Sequence, residues 1–311
     1  MRKRPYLWKR PAAGQITEEF MPKPLNNELK IGELPILKIV AINCLRFHEN
    51  PDDFRREKLV ARLKQEKILK NPPIVARCDG HSEYIILDGA NRVTAIKDCG
   101  LKHIVVQVVD IDDKLLIIDT WHHAIEKLDR KFFKTKIAAM DGIRCFDHAE
   151  DRVENERNGA ILTDEHKRLC TLIFSDGRLC TVGSDGDLKE QVSQLSRLTE
   201  LYLHDDIYDR VSYINLEHLK RHYPDFKTLI SFRGFDKSEL LELALQGIKI
   251  PSGITRVFLP KRALGLNMEL EFLKADHPLD KKNKELDAMI LTMVRNKSIR
   301  FYREPTFAFD E

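Results

Sequence analysis

Four short stretches hold the side chains best suited to chemistry. The first is Asp88-Gly89-Ala90-Asn91-Arg92. It follows an apolar run at 84–87 and precedes Val93, Thr94, Ile96, Lys97 and Asp98, whose spacing fits an amphipathic helix ending at Gly100. The pattern predicts strand, tight turn, helix. A helix N-terminus presents unpaired N–H groups and partial positive charge, and a glycine there lets a phosphate come close to the backbone. Arg92 could add a guanidinium fork, and Asp88 could hold a divalent metal or orient a hydroxyl. The same residues also suit a plain turn, with Asp88 as N-cap and Arg92 in a surface ion pair.

The second stretch is His48-Glu49, on a loop between an apolar run at 34–44 and Pro51. A loop His-Glu pair can also be two solvated side chains. The third is Thr120-Trp121-His122-His123. Adjacent histidines cannot share a helix face, and on a strand they point apart, so a two-His metal site is not expected. Trp121 fits a core position or a pocket wall. The fourth, Thr255-Arg256, follows a Pro-Ser-Gly turn and could bind an anion or form a surface pair.

Around these stretches the periodicity predicts a helix at 54–69, strands at 73–77, 84–87 and 103–111, and a turn at Asp79-Gly80. Residues 34–111 thus alternate strand and helix around a small mixed sheet. A helical pattern at 124–139 suggests that a second lobe begins there. Short strands follow over 143–183, with a hairpin at 175–178. Helices are expected at 185–203, 214–222, 238–246 (capped by Ser238) and 286–295, a broken strand pair at 248–260, and a closing strand at 300–308. The expected division is a basic arm at 1–33, a nucleotide-binding domain at 34–123, and a mixed α/β lobe at 124–311 that completes the substrate site.

The chain has 311 residues, 42% hydrophobic and 32% charged, an ordinary globular composition. Its net charge of +3 gives little attraction for nucleic acid. The arm carries Arg2, Lys3, Arg4, Lys9 and Arg10 without the apolar core of a secretory signal, and no apolar run reaches the ~20 residues of a membrane span. Six cysteines without C-x-x-C spacing suggest reduced thiols in a cytoplasmic protein.

Together the four stretches resemble the ParB/sulfiredoxin-like fold, and within it the free L-serine kinases. These carry a His-Glu pair after the first strand, an Asp-Gly-x-His-Arg turn, a Thr-Trp pair and a Thr-Arg near the C-terminus. The resemblance spans residues ~34–310 in order and rough spacing. It implies an α+β chain with a ParB/sulfiredoxin-like first lobe, a second mixed lobe, and the active site in the cleft between them. It implies phosphoryl transfer from ATP (or ADP) with Mg²⁺ to the hydroxyl of free L-serine, giving O-phospho-L-serine. Glu49 would be the general base, and Asp88 would assist at the hydroxyl or the metal. His48, Gly89, Ala90, Asn91 and Arg92 would hold the nucleotide. Trp121, His122, His123, Thr255 and Arg256 would form the serine pocket. The family's His before the Arg is Asn91 here, which can donate a hydrogen bond but adds no charge. A sulfiredoxin-type reductase would need a cysteine where Ala90 stands. A ParB-type nucleotide- or DNA-binding regulator would carry a second Arg where Val93 stands.

Overall fold

The computed structural model describes residues 34–77, 82–148, 167–203 and 208–302. The basic arm and the Asp79-Gly80 turn lie outside these residues, as does most of the expected closing strand. Residues 35–311 form one compact unit.

The first part of the chain runs β1 (Ile36–Ala41), β2 (Leu45–Phe47), α1 (Asp53–Glu66), β3 (Ile68–Leu69), β4 (Ile74–Arg77), β5 (Tyr84–Asp88), α2 (Ala90–Asp98) and β6 (His103–Asp110). Five of its strands form a mixed sheet in the order β1-β6-β4-β5-β2. β2 runs parallel to β5, and β4 parallel to β6. Ile39, Val75, Ile86, Ile104 and Val106 from the sheet pack with Val93 and Ile96 of α2 in one buried cluster. Asp52 caps α1 by accepting the Arg55 N–H at 3.0 Å, and Lys67 ends it in a left-handed conformation.

The chain continues with β7 (Ile117–Thr120), β8 (His122–Ile125), α3 (Arg130–Ala138), β9 (Ile143–His148), β10 (Lys167–Phe174), β11 (Leu179–Ser184), α4 (Leu188–Glu200), β12 (Tyr208–Val211), α5 (Leu216–His222), β13 (Thr228–Phe232) and α6 (Lys237–Leu245). An antiparallel sheet orders these strands β12-β8-β13-β10-β11-β9. The helix expected from residue 124 begins only at Arg130, because His122–Ile125 pair between β12 and β13 as a buried central strand. Ser238 does not cap α6. Asp236 does, with Glu239 accepting the Asp236 N–H at 2.9 Å in a capping box. Cys145 and Cys180, on neighbouring strands with their Cα atoms 6.1 Å apart, are joined as a disulfide, so the six cysteines are not all separate thiols.

The last elements are β14 (Thr255–Phe258), β15 (Met268–Glu269), α7 (Leu270–Lys274) and α8 (Leu279–Arg295). β14 pairs with β7 and β15 with β3. Met268, Leu270, Leu273 and Leu286 then join the core of the first sheet. The last described elements therefore return to the first sheet, and α8 lies against the edge strand β1. The Asn283 side chain does this like a short partner strand: Oδ1 accepts the Ile39 N–H at 2.8 Å and Nδ2 donates to the Ile39 carbonyl at 2.9 Å.

Replacing Asn283 with Ala leaves both Ile39 groups without their partner. The expected cost is about 1–3 kcal/mol of unfolding free energy, read from the urea midpoint at unchanged m-value.

Candidate active site

The site is held together by a stitch between segments some 200 residues apart. The Ile250 N–H donates to the His48 carbonyl at 2.7 Å, and the Asn50 N–H donates to the Ile250 carbonyl at 2.9 Å, closing a parallel bridge between Glu49 and Ile250. This brings Glu49 beside the 253–255 turn. Its Oε1 accepts the Gly253 N–H and its Oε2 the Thr255 N–H, each at 2.8 Å. The Thr255 hydroxyl also donates to Oε2. Burial raises the Glu49 carboxyl above its ordinary value, and the neighbouring His48, the Thr255 hydroxyl and the two N–H donors offset only part of that rise. A carboxylate with a raised pKa is a stronger base.

His48 is 3% exposed. Its Nδ1 meets the Ile86 carbonyl at 2.5 Å and its Nε2 meets Thr255 Oγ1 at 2.9 Å. Both ring nitrogens are engaged inside the protein, so His48 has none to offer a phosphate. The nucleotide contact expected of it is corrected to a contact within the site.

At the end of β5 the turn is built by Gly89, with φ +103° at the N-cap of α2. A Cβ there would lie 2.9 Å from Pro73 Cβ and 3.0 Å from Arg92 Nε. Only glycine satisfies both the angle and the space. No side chain caps the helix, so the cap expected of Asp88 is absent, and the first-turn N–H groups stay available. Asp88 pairs instead with Arg92 at 3.2 Å and with Arg262. Burial raises its carboxyl, but the two guanidinium groups outweigh this and hold it below its ordinary value. Arg92 also donates from Nη1 to the carbonyls of Asn71 and Pro72, at 3.2 and 3.1 Å. Asn91 Oδ1 accepts the Asp52 N–H at 2.7 Å and ties α2 to the start of α1. A hydrogen-bond acceptor is what this position uses, and an amide supplies it while its NH₂ group remains a donor.

These groups line one cavity of about 520 Å³. His48, Glu49, Asp88, Gly89, Ala90, Asn91, Arg92 and Thr255 are all in its wall. So are Arg55, Lys58, Arg62 and Leu59 of α1, Lys70, and from the second sheet Arg210. Arg210 lies over Gly253, where an added Cβ would come within 3.3 Å of its Cδ and Nε. No motif marks Arg210 or Arg262 in the sequence; only the fold brings them to the site.

Trp121, His122, His123 and Arg256 do not line the cavity. The Trp121 N–H bonds the Ile254 carbonyl at 2.8 Å, and its ring stacks under Arg256, which also covers Phe258. His122 has a buried Nδ1 with no hydrogen-bond partner among the described residues. His123 is a core residue: it is 0% exposed, and its ring nitrogens meet Tyr202 Oη at 2.7 Å and the Gly253 carbonyl at 2.9 Å. Successive residues on a strand face opposite ways, which separates Thr255 from Arg256. On β14, Thr255 faces Glu49 and Arg256 faces Trp121.

The carboxylates in the wall are Glu49, Asp52 and Asp88. Among the described residues no three His, Cys, Asp or Glu side chains come together as metal ligands would. Both arginines meet Asp88 at Oδ2, and Glu49 accepts three hydrogen bonds.

No family model matches the chain. Its fold is that of solved serine kinases. C-terminally truncated SbnI from Staphylococcus aureus superposes with a TM-score of 0.61 at 17% identity, over 84% of this chain and 97% of that one. A free serine kinase in complex with AMP superposes at 0.62 and 18% identity, over 77% and 94%. Among curated proteins, the ATP-dependent L-serine kinase SbnI of Staphylococcus aureus is 29% identical over 89 residues, which is 29% of this chain and 34% of the relative. An ATP-dependent L-serine kinase of Staphylothermus marinus is 28% identical over 87 residues, 28% of this chain and 34% of the relative. The match thus spans about a third of the length of these curated relatives. No helix among the described residues is long and apolar enough to cross a membrane.

Burial pushes the His123 imidazole down to about 4 from an ordinary 6.5. The unfolded chain therefore binds a proton between pH 6.5 and 4 that the folded chain refuses, so this residue's contribution to stability falls as pH drops through that window. The loss is about 3 kcal/mol. Urea unfolding across pH 4–7 should show a shallower slope for His123→Gln than for the wild type.

Proposed function

We propose that this chain is a kinase that transfers a phosphoryl group from ATP to the hydroxyl of free L-serine, giving O-phospho-L-serine. The observation that carries this reading is Glu49. Its carboxylate lies in the wall of the same cavity as the uncapped N-terminus of α2, and three hydrogen bonds fix it there. That juxtaposes a base for an alcohol with a cradle for phosphate, in the fold of solved serine kinases. The partial relatives named as ATP-dependent support ATP over ADP as donor.

Each residue then has a task. The N–H groups of Ala90, Asn91 and Arg92 receive the phosphates. Asp88, clamped between Arg92 and Arg262, fixes both cations beside the transferring group. The α1 side of the wall, with Leu59, Leu63, Arg55, Lys58 and Arg62, takes the nucleoside and adds positive charge. Serine lies at the Ser252–Thr255 end, its carboxylate on Arg210. Among the described residues Glu49 Oε1 has one partner, the Gly253 N–H, and keeps a lone pair for the serine hydroxyl. The proton moves to it as the O–P bond forms, which is when that hydroxyl becomes acidic. Any Mg²⁺ arrives on the nucleotide phosphates with most of its waters. Free serine and ATP are cytoplasmic metabolites, and we assign the activity to that compartment.

Purified protein with L-serine, Mg²⁺ and ATP should yield O-phosphoserine by mass spectrometry, and Glu49→Gln should lower the rate by at least ~10²-fold. Undiminished product in that variant would remove Glu49 as base; no product from the wild type with ATP or ADP would remove the kinase. Arg210→Ala should raise the KM for serine about tenfold or more and leave nucleotide binding in place, because it removes a charge-assisted pair to the carboxylate alone.

A further inference from the structure

His48, Thr255 and Glu49 form a chain whose hydrogens can be counted. The Ile86 carbonyl can only accept, so His48 Nδ1 carries a hydrogen. Nε2 faces Thr255 Oγ1 at 2.9 Å, and Oγ1 is also bonded to Glu49 Oε2. The Thr255 hydroxyl has one hydrogen and two neighbours. If His48 were neutral and Glu49 ionised, both neighbours would be bare acceptors, and one buried lone pair would face the hydroxyl oxygen without a hydrogen between them. That arrangement is costly in a buried site. One further proton removes the conflict. Held by Glu49, it gives Oε2–H to Oγ1 and Oγ1–H to Nε2. Held by His48, it gives Nε2–H to Oγ1 and Oγ1–H to Oε2. The two arrangements contain the same atoms and differ only in which covalent bonds the two hydrogens make.

We propose that Thr255 is a proton bridge that lets His48 hold this proton, so that Glu49 is free as an anionic base while the pair as a whole stays charge-balanced. In the transfer the Oε2–H bond breaks as an Oγ1–H bond forms, and the original Oγ1–H bond breaks as Nε2–H forms. The products are a carboxylate, a hydroxyl and an imidazolium. The Glu49 carboxylate is then ready for the serine proton. The surroundings suit both forms. Burial lowers His48 and raises Glu49, and each partner's charge offsets part of that shift. Asp88 on β5 adds a negative charge that favours imidazolium, and is itself balanced by Arg92 of α2 and Arg262. Arg210 of β12 lies over Gly253, beside the Glu49 end.

The bridge makes Thr255 a positioning residue, since it acts through Glu49, and it rests on the base role given to Glu49 above. Two readouts separate the claims. The first is the pH dependence of kcat for O-phosphoserine formation. Thr255→Val keeps the shape and removes the hydroxyl. It should move the acid limb up by about one pH unit, so that activity below the limb falls about tenfold. Thr255→Ser should restore the limb. In a His48→Gln background, Thr255→Val should move the limb no further, because there is no longer a site to receive the proton. The second readout needs no activity: the ¹⁵N shifts of His48 in the whole chain against pH. In the wild type and Thr255→Ser, Nε2 should be protonated to a higher pH than in Thr255→Val, while Nδ1 stays protonated in all three. An unmoved Nε2 titration in Thr255→Val overturns the bridge, as does a limb shift of equal size with and without His48. If the wild type makes no O-phosphoserine, the kinase reading fails and the ¹⁵N comparison alone still decides the bridge.

Discussion

The site depends on the two backbone hydrogen bonds that tie His48 and Asn50 to Ile250. Without them Glu49 is a carboxylate on a loop. With them it meets the N–H groups of Gly253 and Thr255, and its oxygens are fixed. The stitch also joins the two sheets functionally. Residues 48–50 leave β2, the edge strand of the first sheet, and residues 250–255 are held to β7 and β8 by the pairing of β14 with β7 and by the bond of His123 to the Gly253 carbonyl. A buried histidine of the second sheet thereby helps set the position of a carboxylate that belongs to the first.

Charge is arranged in opposite ways at the two ends of the cavity. At the nucleotide end Asp88 is surrounded by cations and held ionised, so it serves as an anchor for Arg92 and Arg262. At the acceptor end no cationic side chain among the described residues bonds Glu49, and burial lifts its pKa. Two carboxylates in one cavity are thus driven apart in basicity by their neighbours, which is how acid–base roles are divided in a site. The stronger base is the one placed to receive a proton from an alcohol.

Local signals in the sequence carried the elements whose causes are local. The strand–turn–helix around Gly89 follows from an apolar run, a glycine and 3.6-residue spacing, and Gly100 ends α2 with φ +77° as its position suggested. His48, Glu49 and Thr255 stand in one cavity. The parts that were not legible depend on distant contacts. Ala124 and Ile125 read as the start of a helix because the residues after them do, yet β12 and β13 claim them as part of a strand. Which of Thr255 and Arg256 faces Glu49 depends on strand register, which adjacent residues do not reveal. Arg210 and Arg262 carry no motif, and the return of α8 to β1 is fixed by contacts such as the Asn283 amide and buried Leu286 that sequence neighbours do not reveal.

The most direct measurement of the central claim is a crystal structure of the chain with ADP and O-phosphoserine. The account predicts the nucleotide phosphates on the first-turn N–H groups of α2. It also predicts the bridging serine oxygen within about 3 Å of Glu49, the reach a general base requires. A serine oxygen directed away from Glu49, or a nucleotide bound outside the Gly89–Arg92 turn, would contradict it.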